Sequence, residues 1–314
     1  MTGSVDLEKL TPRPKIWAIG GGKGGVGKSV VSTGIAMTLA QKGERCIMVD
    51  ADLGGANLHT FLGMSHPSRA LSDLFRKQSL KLQDILLTTP FENLWLISGA
   101  RAMLDMANPS YLQKMKVIRQ IFSLNADHIF IDLGAGSAFN VLDFFIAAHE
   151  GLVVVMPTPT SIENAYHFLK AVYYRKLRKV VRELKAERLI DTALSEKVKS
   201  GIRSPRDLMI DLQYRDPLVG AQIVQGMQPF NPRLIVNQVQ RNEDRDLGQK
   251  IALACRDFFG INMTVPGAVR TDERVLIALK SRRPVLEMFP SSPFSEDIRR
   301  IVQQVTLASE MSDG

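Results

Sequence analysis

Two cysteines in 314 residues, Cys46 and Cys255, leave little scope for covalent or metal staples. They stand far apart in apolar surroundings, which fits buried thiols in a reducing compartment better than a disulfide or a metal site. Five scattered histidines make no ligand cluster. No apolar run approaches the ~18 residues of a bilayer-spanning helix. The N-terminal stretch MTGSVDLEKLTPRPK lacks the apolar segment of a secretory signal. These absences argue against a disulfide scaffold, a His/Cys metalloenzyme and a helical membrane protein. The expected location is the cytoplasm.

What remains is ordinary globular material. Apolar residues make up 45% of the chain and charged residues 23%, enough for a sizeable core. The formal net charge of +8 points to an acidic partner, whether nucleic acid, anionic membrane or protein. Charge alone does not choose among them.

Val- and Ile-rich runs alternate with helical patterns along the chain, the signature of an α/β fold whose mostly parallel sheet carries helices on both faces. Strands are expected at 15–20, 45–49, 94–98, 128–133, 152–156, 234–237 and 261–265. Helices between them include 28–41, 109–124 and 275–281. The organisation expected is a flexible leader over 1–14, then a single domain over 15–314 with a basic helical insertion at about 175–230.

The stretch GGGKGGVGKSVVSTGIAMTLA, residues 20–40, organises the rest. Gly22, Gly27, Lys28 and Ser29 satisfy the phosphate-loop spacing G-x-x-x-x-G-K-[ST], between a strand and a helix as that motif requires. Glycines let the backbone wrap a polyphosphate with its N–H groups pointing inward, and the helix N-terminus faces the same anion. The expected nucleotide contacts are Gly22, Lys23, Gly24, Gly25, Val26, Gly27, Lys28, Ser29 and Val30. Lys28 would reach the β- and γ-phosphates and the Ser29 hydroxyl would ligate Mg²⁺.

Two acidic strand ends complete the picture. The second strand runs into VDADLGGANLHTFLG, so Asp50 and Asp52 emerge at the carboxyl edge of the sheet, where ligands bind in open α/β folds. One can hold a metal-bound water and the other can orient the water that attacks the γ-phosphate. The strand HIFIDLGAG ends in Asp132, a second magnesium-associated carboxylate. Gly134 and Gly136 let the loop after it approach the γ-phosphate and move after hydrolysis.

Together KGGVGKS, DADLGGANLHTFLG and DLGAG resemble the MinD/ParA superfamily of deviant-Walker ATPases, and their wording is similar to its FlhG (FleN) branch, MinD-like regulators of flagellar number and placement. The resemblance covers roughly 15–160 and 233–304. It implies an ATPase that binds ATP/ADP with Mg²⁺, dimerises with ATP and turns over slowly without a partner. Lys23 would reach across the dimer to the partner's nucleotide. Lys28 and Ser29 would act in cis, Asp52 would position the hydrolytic water, Asp50 would support the metal shell and Asp132 would be the Walker B carboxylate. Asn237, in LIVNQV, would recognise adenine, and Pro266 would open the adenine-flanking loop VPGAVRTDERV. Implied partners are a second copy of the chain and a flagellar or positioning protein such as an FlhF-like GTPase or a transcriptional regulator. The glutamine- and leucine-bearing motif with which FlhG proteins activate FlhF has no counterpart in residues 1–15.

Two segments stand apart from the motifs. Lys170, Arg175, Lys176, Arg178, Lys179, Arg182 and Lys185 crowd one helical stretch, with Val172, Leu177, Val180, Val181 and Leu184 as its apolar stripe. A docking surface for DNA, lipid headgroups or an acidic protein is one reading; a solvated face is the simpler expectation. The DNA reading corresponds to a ParA-like partition ATPase. Near the C-terminus, Phe294, Ile298, Ile301, Val302 and Val305 share a helical face, but only Arg299 and Arg300 are basic. An interfacial helix wants a basic polar face, so packing onto the sheet is expected and membrane attachment is weakly supported. Closely paired cysteines of an Mrp-type iron–sulfur carrier are lacking, as is the tyrosine-rich tail of a tyrosine autokinase.

Overall fold

Eight strands form one sheet in the order β3-β4-β2-β5-β1-β6-β7-β8. The structure, a computed structural model, describes residues 14–52, 55–76, 80–99, 111–136, 138–228, 230–241, 244 and 246–310. Apart from Pro14, the leader expected over 1–14 lies outside the described residues. In chain order the elements are β1 (Lys15–Gly20), α1 (Lys28–Ala40), β2 (Cys46–Asp50), α2 (Leu58–Phe61), α3 (Leu71–Arg76), β3 (Leu87–Thr88), β4 (Leu94–Ile97) and α4 (Tyr111–Ile121). Next come β5 (His128–Asp132), α5 (Phe139–Ala147), β6 (Glu150–Val155), α6 (Pro159–Glu183), α7 (Glu187–Ser195), α8 (Pro205–Arg215) and α9 (Pro217–Met227). The chain closes with β7 (Arg233–Val239), α10 (Leu247–Phe259), β8 (Thr264–Arg270), α11 (Glu273–Lys280), α12 (Val285–Met288) and α13 (Pro293–Glu310).

Every strand pair is parallel except β3 with β4. Successive side chains of a strand point to opposite faces, and both faces here are covered. Along β1, Ile16 and Ala18 enter one core layer while Trp17 and Ile19 enter the other. On β5, Ile129 and Ile131 join the first layer and Phe130 the second. That two-sided burial is why these strands read as continuous apolar runs. The first layer is filled by residues of α3 to α10 and the second by residues of α1, α2 and α11 to α13.

Six of the eight strands fall within two residues of where the sequence places them. The two-residue β3 offers no periodicity to read and was not expected. The last strand differs more: the expected 261–265 is observed as Thr264–Arg270. Pro266 and Gly267 look like a turn in sequence. They sit instead on an edge strand where the register slips by one residue, Arg233 pairing with Thr264 and Ile235 with Gly267. Such a bulge at an edge accommodates a residue with no N–H to donate.

Helix α13 packs onto the sheet as expected. Phe294, Ile298, Ile301, Val302 and Val305 are all buried in the second layer. Arg270, the last residue of β8, fixes its first turns. The guanidinium donates to Asp297 through Nε at 2.8 Å and Nη2 at 3.0 Å, and to Glu296 at 3.0 Å.

The basic stretch of α6 divides into two sets. Arg175 donates to Asp143 at 2.8 and 3.0 Å, and the Lys176 ammonium donates to the Met227 carbonyl at 3.4 Å. Lys170 lies over the Tyr166 ring at 5.9 Å. Arg178, Lys179, Arg182 and Lys185 are exposed. Helix α8 opens with a capping box: Ser204 Oγ accepts from Asp207 N at 3.1 Å and Asp207 Oδ2 accepts from Ser204 N at 2.9 Å.

Candidate functional site: a phosphate loop with its acidic strand ends

The loop between β1 and α1 takes its shape from glycines in specific surroundings. Gly25 and Gly27 have φ of +80° and +92°, the left-handed region that side-chain-bearing residues avoid. Gly22 lies against α6, where a methyl group would come 1.8 Å from the Asn164 carbonyl oxygen. Helix α1 begins at Gly27 with no side-chain cap and no acidic residue in its first turn. Its first N–H groups are thereby left for an external anion, which the helix dipole also favours.

Lys28 is buried, and its ammonium donates to the Lys23 carbonyl at 3.3 Å. Burial lowers its pKa, and the charges of Asp132 and Asp52 oppose that shift. Ser29, one residue on, donates its hydroxyl to Asp132 Oδ2 at 2.5 Å. Asp132 is fully enclosed, and burial pushes its pKa up to about 6 against the pull of the Ser29 hydrogen bond and of Lys28. Its second oxygen, Oδ1, is buried and has no hydrogen-bond partner. Such an orphaned acceptor calls for a donor or a cation. A serine hydroxyl and a carboxylate oxygen are hard oxygen donors suited to Mg²⁺, so the residues present fit that ion. Among the described residues no three acidic, histidine or cysteine side chains converge as a metal cage. Magnesium bound with a nucleotide does not need one, since phosphates and water supply its other ligands.

Sheet register sets the carboxylates side by side: Asp50 of β2 pairs directly with Asp132 of β5. Asp50 has a part that its sequence position does not reveal. Its Oδ1 accepts from Asp52 N at 3.2 Å and its Oδ2 from Leu58 N at 3.0 Å. It therefore braces the loop that carries Asp52 and starts α2. Burial raises its pKa to about 7, and those two backbone donors pull the other way. Asp52 reaches the loop after β5, where a methyl group on Gly134 would lie 3.1 Å from Asp52 Oδ1.

These groups line a cleft of about 560 Å³. Gly24, Gly25, Gly27, Lys28, Ser29, Val30, Asp50, Asp52 and Asp132 face it. Three of the expected phosphate-loop contacts do not. Gly22 packs on α6, Val26 buries its side chain in the core, and Lys23 is exposed outside the cleft. The cleft is lined further by Asn237, Gln238, Thr271, Asp272 and, from α11, Val275, Leu276 and Leu279. Pro266 is not among the lining residues; it lies in the middle of β8. The cleft wall begins four residues later, at Arg270.

Sequence reasoning missed Gln238, Thr271, Asp272 and Leu276. Asp272 carried a legible signal, since TDER reads as an N-cap: its Oδ1 accepts from Arg274 N at 3.0 Å. Gln238 carried none. Its φ of +59° follows from the irregular end of β7, which the sequence does not announce.

A glycine loop at a helix N-terminus, a buried lysine, and a serine paired with a strand-end aspartate define the class: a P-loop nucleotide-binding protein. Residues 17–285 match the family described as CobQ/CobB/MinD/ParA nucleotide binding domain, and the chain belongs to it. It is a MinD/ParA-like ATPase by family. Among curated relatives it is similar to the antiactivator FleN of Pseudomonas aeruginosa, 29% identical over 294 residues that cover 93% of this chain and 86% of that one. The flagellum site-determining protein YlxH of Helicobacter pylori is 32% identical over 167 residues, covering 50% of this chain and 53% of the relative. Among solved structures, MinD of Pyrococcus horikoshii with Mg-ADP aligns over 93% of this chain and 96% of its own, with a TM-score of 0.64 at 18% identity. A ParA family ATPase of Chlorobium tepidum aligns with a TM-score of 0.60 at 17% identity, over 93% of this chain and 98% of that one.

Proposed function

We propose that this protein is an ATP-hydrolysing switch of the MinD type whose ATP form is a dimer, and that it sets the number or placement of flagella. The observation that carries the hydrolytic part is the Ser29–Asp132 pair with its unpartnered Oδ1, beside buried Lys28. Mg²⁺, held by Ser29 and Asp132, would supply charge neutralisation at the β- and γ-phosphate oxygens. Backbone N–H groups of residues 24–29 and the Lys28 ammonium bind the phosphates, so Lys28 exchanges the Lys23 carbonyl for phosphate oxygens. Asp52 orients water toward the γ-phosphate, and Asp50 keeps Asp52 in place through the two backbone bonds described. Adenine would lie in the same cleft, beside Asn237.

Lys23 is exposed, and in an ATP-bound dimer it would meet the nucleotide held by a second copy. No arginine finger is evident in the loops, so turnover alone is slow. Nucleotide state can switch partners only if the two states differ in affinity. The loops after Asp50 and Asp132 supply that difference by contacting the γ-phosphate. The flagellar assignment is supported by likeness to FleN over nearly the whole chain. It points to a transcriptional regulator or an FlhF-like GTPase as partner. No described helix is long and apolar enough to cross a membrane, and the apolar face of α13 is occupied by the sheet, which favours a protein partner over lipid.

The deciding experiment is ATP turnover and molar mass in solution, wild type against Asp52→Ala. Turnover by wild type alone, with an ATP-dependent dimer in both proteins, is expected. Equal turnover in the two proteins would overturn the role of Asp52. A second reading, a ParA-like DNA-partition ATPase, is favoured by the four exposed cations Arg178, Lys179, Arg182 and Lys185 near the end of α6. It requires ATP-dependent DNA binding that falls steeply between low and moderate salt.

A further inference from the structure

Asn237 is buried near the end of β7, two strands away from β1. Its side-chain Nδ2 donates to the Val26 carbonyl of the phosphate loop at 2.8 Å, across 211 residues of sequence. Among the described residues the side chain makes no other hydrogen bond. Val26 is held a second time by its own side chain, 2% exposed in the core layer that contains α1. The neighbouring Gly27 fits closely around the amide: a methyl group there would lie 2.2 Å from Asn237 Nδ2.

The consequence is directional. A peptide group carries its carbonyl and the following N–H on opposite sides of one plane. Holding the Val26 carbonyl toward Asn237 therefore aims the Gly27 N–H the other way, and Gly27 lines the cleft. A phosphate loop works by pointing successive N–H groups at one anion. A carbonyl turned into that ring would repel it.

We propose that Asn237 is a positioning residue for the phosphate loop, fixing the Val26–Gly27 peptide so that its N–H faces the phosphates. The role is separate from any contact with adenine, although the proposal rests on the reading of the cleft as a nucleotide site. A residue that reads only the base affects ligands that have a base. A residue that braces the loop affects polyphosphates without one.

The test uses that difference. Binding of MgATP, MgGTP and magnesium tripolyphosphate is measured by calorimetry for the full chain and for Asn237→Asp and Asn237→Ala. Asn237→Asp keeps the shape but sets a carboxylate against the Val26 carbonyl. The expected result is a loss of about tenfold or more for tripolyphosphate as well as for ATP, greater in the aspartate variant, with the ATP-to-GTP ratio changed less than either affinity. Unchanged tripolyphosphate affinity beside weakened ATP would overturn the proposal and leave Asn237 as a base reader. Failure of wild type to bind either nucleotide would instead overturn the nucleotide reading. Amide hydrogen exchange without ligand supplies the second arm and decides alone where the base-free anion binds too weakly to measure. Residues 21–28 should exchange faster in Asn237→Ala while β1 and β6 stay protected; equal exchange in the loop sinks the proposal, and loss of protection throughout the sheet reassigns Asn237 to general stability.

Discussion

Ser29 and Asp132 are 103 residues apart in sequence and joined by a 2.5 Å hydrogen bond from hydroxyl to carboxylate. One sits in the first turn of α1, the other at the end of β5, and the sheet places β5 beside β1 with Ile19 paired to Asp132. The carboxylate oxygen not bonded to Ser29 is the buried acceptor that lacks a partner. Replacing the carboxylate by an isosteric amide is therefore a clean probe. Asp132→Asn should weaken Mg²⁺-dependent ATP binding by roughly tenfold or more. Binding of ADP in the presence of a chelator should change little. Titration calorimetry with and without Mg²⁺ checks both halves.

The two loop lysines should separate cleanly. Lys28→Ala removes a buried cation from the phosphate site and should lower ATP affinity by about a hundredfold. Lys23→Ala, at an exposed position, should leave monomer affinity within about threefold while ATP-dependent dimerisation and turnover fall together. Light scattering with ATP and with ADP, paired with phosphate release, makes the comparison. Unchanged dimerisation and turnover in Lys23→Ala would rule out action in trans.

Acid should destabilise the fold through a histidine far from the cleft. His128, at the start of β5, accepts a hydrogen bond from Trp17 Nε1 at 3.1 Å. Burial pushes its pKa down to about 4 from 6.5, helped by Lys15 and opposed by Asp127. The folded state thus prefers the neutral ring. The associated stability is complete above the unfolded pKa and is lost as pH falls from about 6.5 through 4, amounting to about 3 kcal/mol at most. His149, which accepts from Ile16 N at 3.0 Å, has its pKa lowered by burial and Lys15 and acts with the same sign. Denaturant melts at pH 7 and pH 4.5 should show a smaller loss in His128→Asn than in wild type.

At the β8 edge, Arg270→Ala should cost about 2–4 kcal/mol, because Asp297 is buried and would keep only the backbone N–H of residue 270 and the exposed Arg300 among the described partners. The control is Arg300→Ala, whose side chain is 67% exposed and whose loss should cost under about 1 kcal/mol. Urea midpoints give both numbers.

Local pattern made much of this legible. The phosphate loop, the strand-end aspartates and the burial of the α13 face all follow from spacing and periodicity within short windows. Relationships between windows did not show. That Asp50 spends both oxygens on its own loop depends on where the chain turns after β2. That Asn237 holds Val26 depends on β7 lying two strands from β1, which only the assembled sheet decides. Pro266 misled because a proline–glycine pair looks the same in a turn and in a bulged edge strand. The loop contact of α6 through Asn164 was equally invisible, since nothing in that helix's composition refers to Gly22.

Helix α6 is 25 residues long, roughly 37 Å at 1.5 Å per residue. Its first turns meet the phosphate loop where Gly22 abuts Asn164, and its last turns carry Arg178, Lys179 and Arg182 into solvent. A rod with those two ends would act as a lever if it tilted. Each degree of tilt about the loop contact would sweep the charged end through about 0.5 Å. Because a methyl group does not fit between the loop and the helix, there is little slack at the fulcrum, and the loop cannot shift toward α6 without moving the rod.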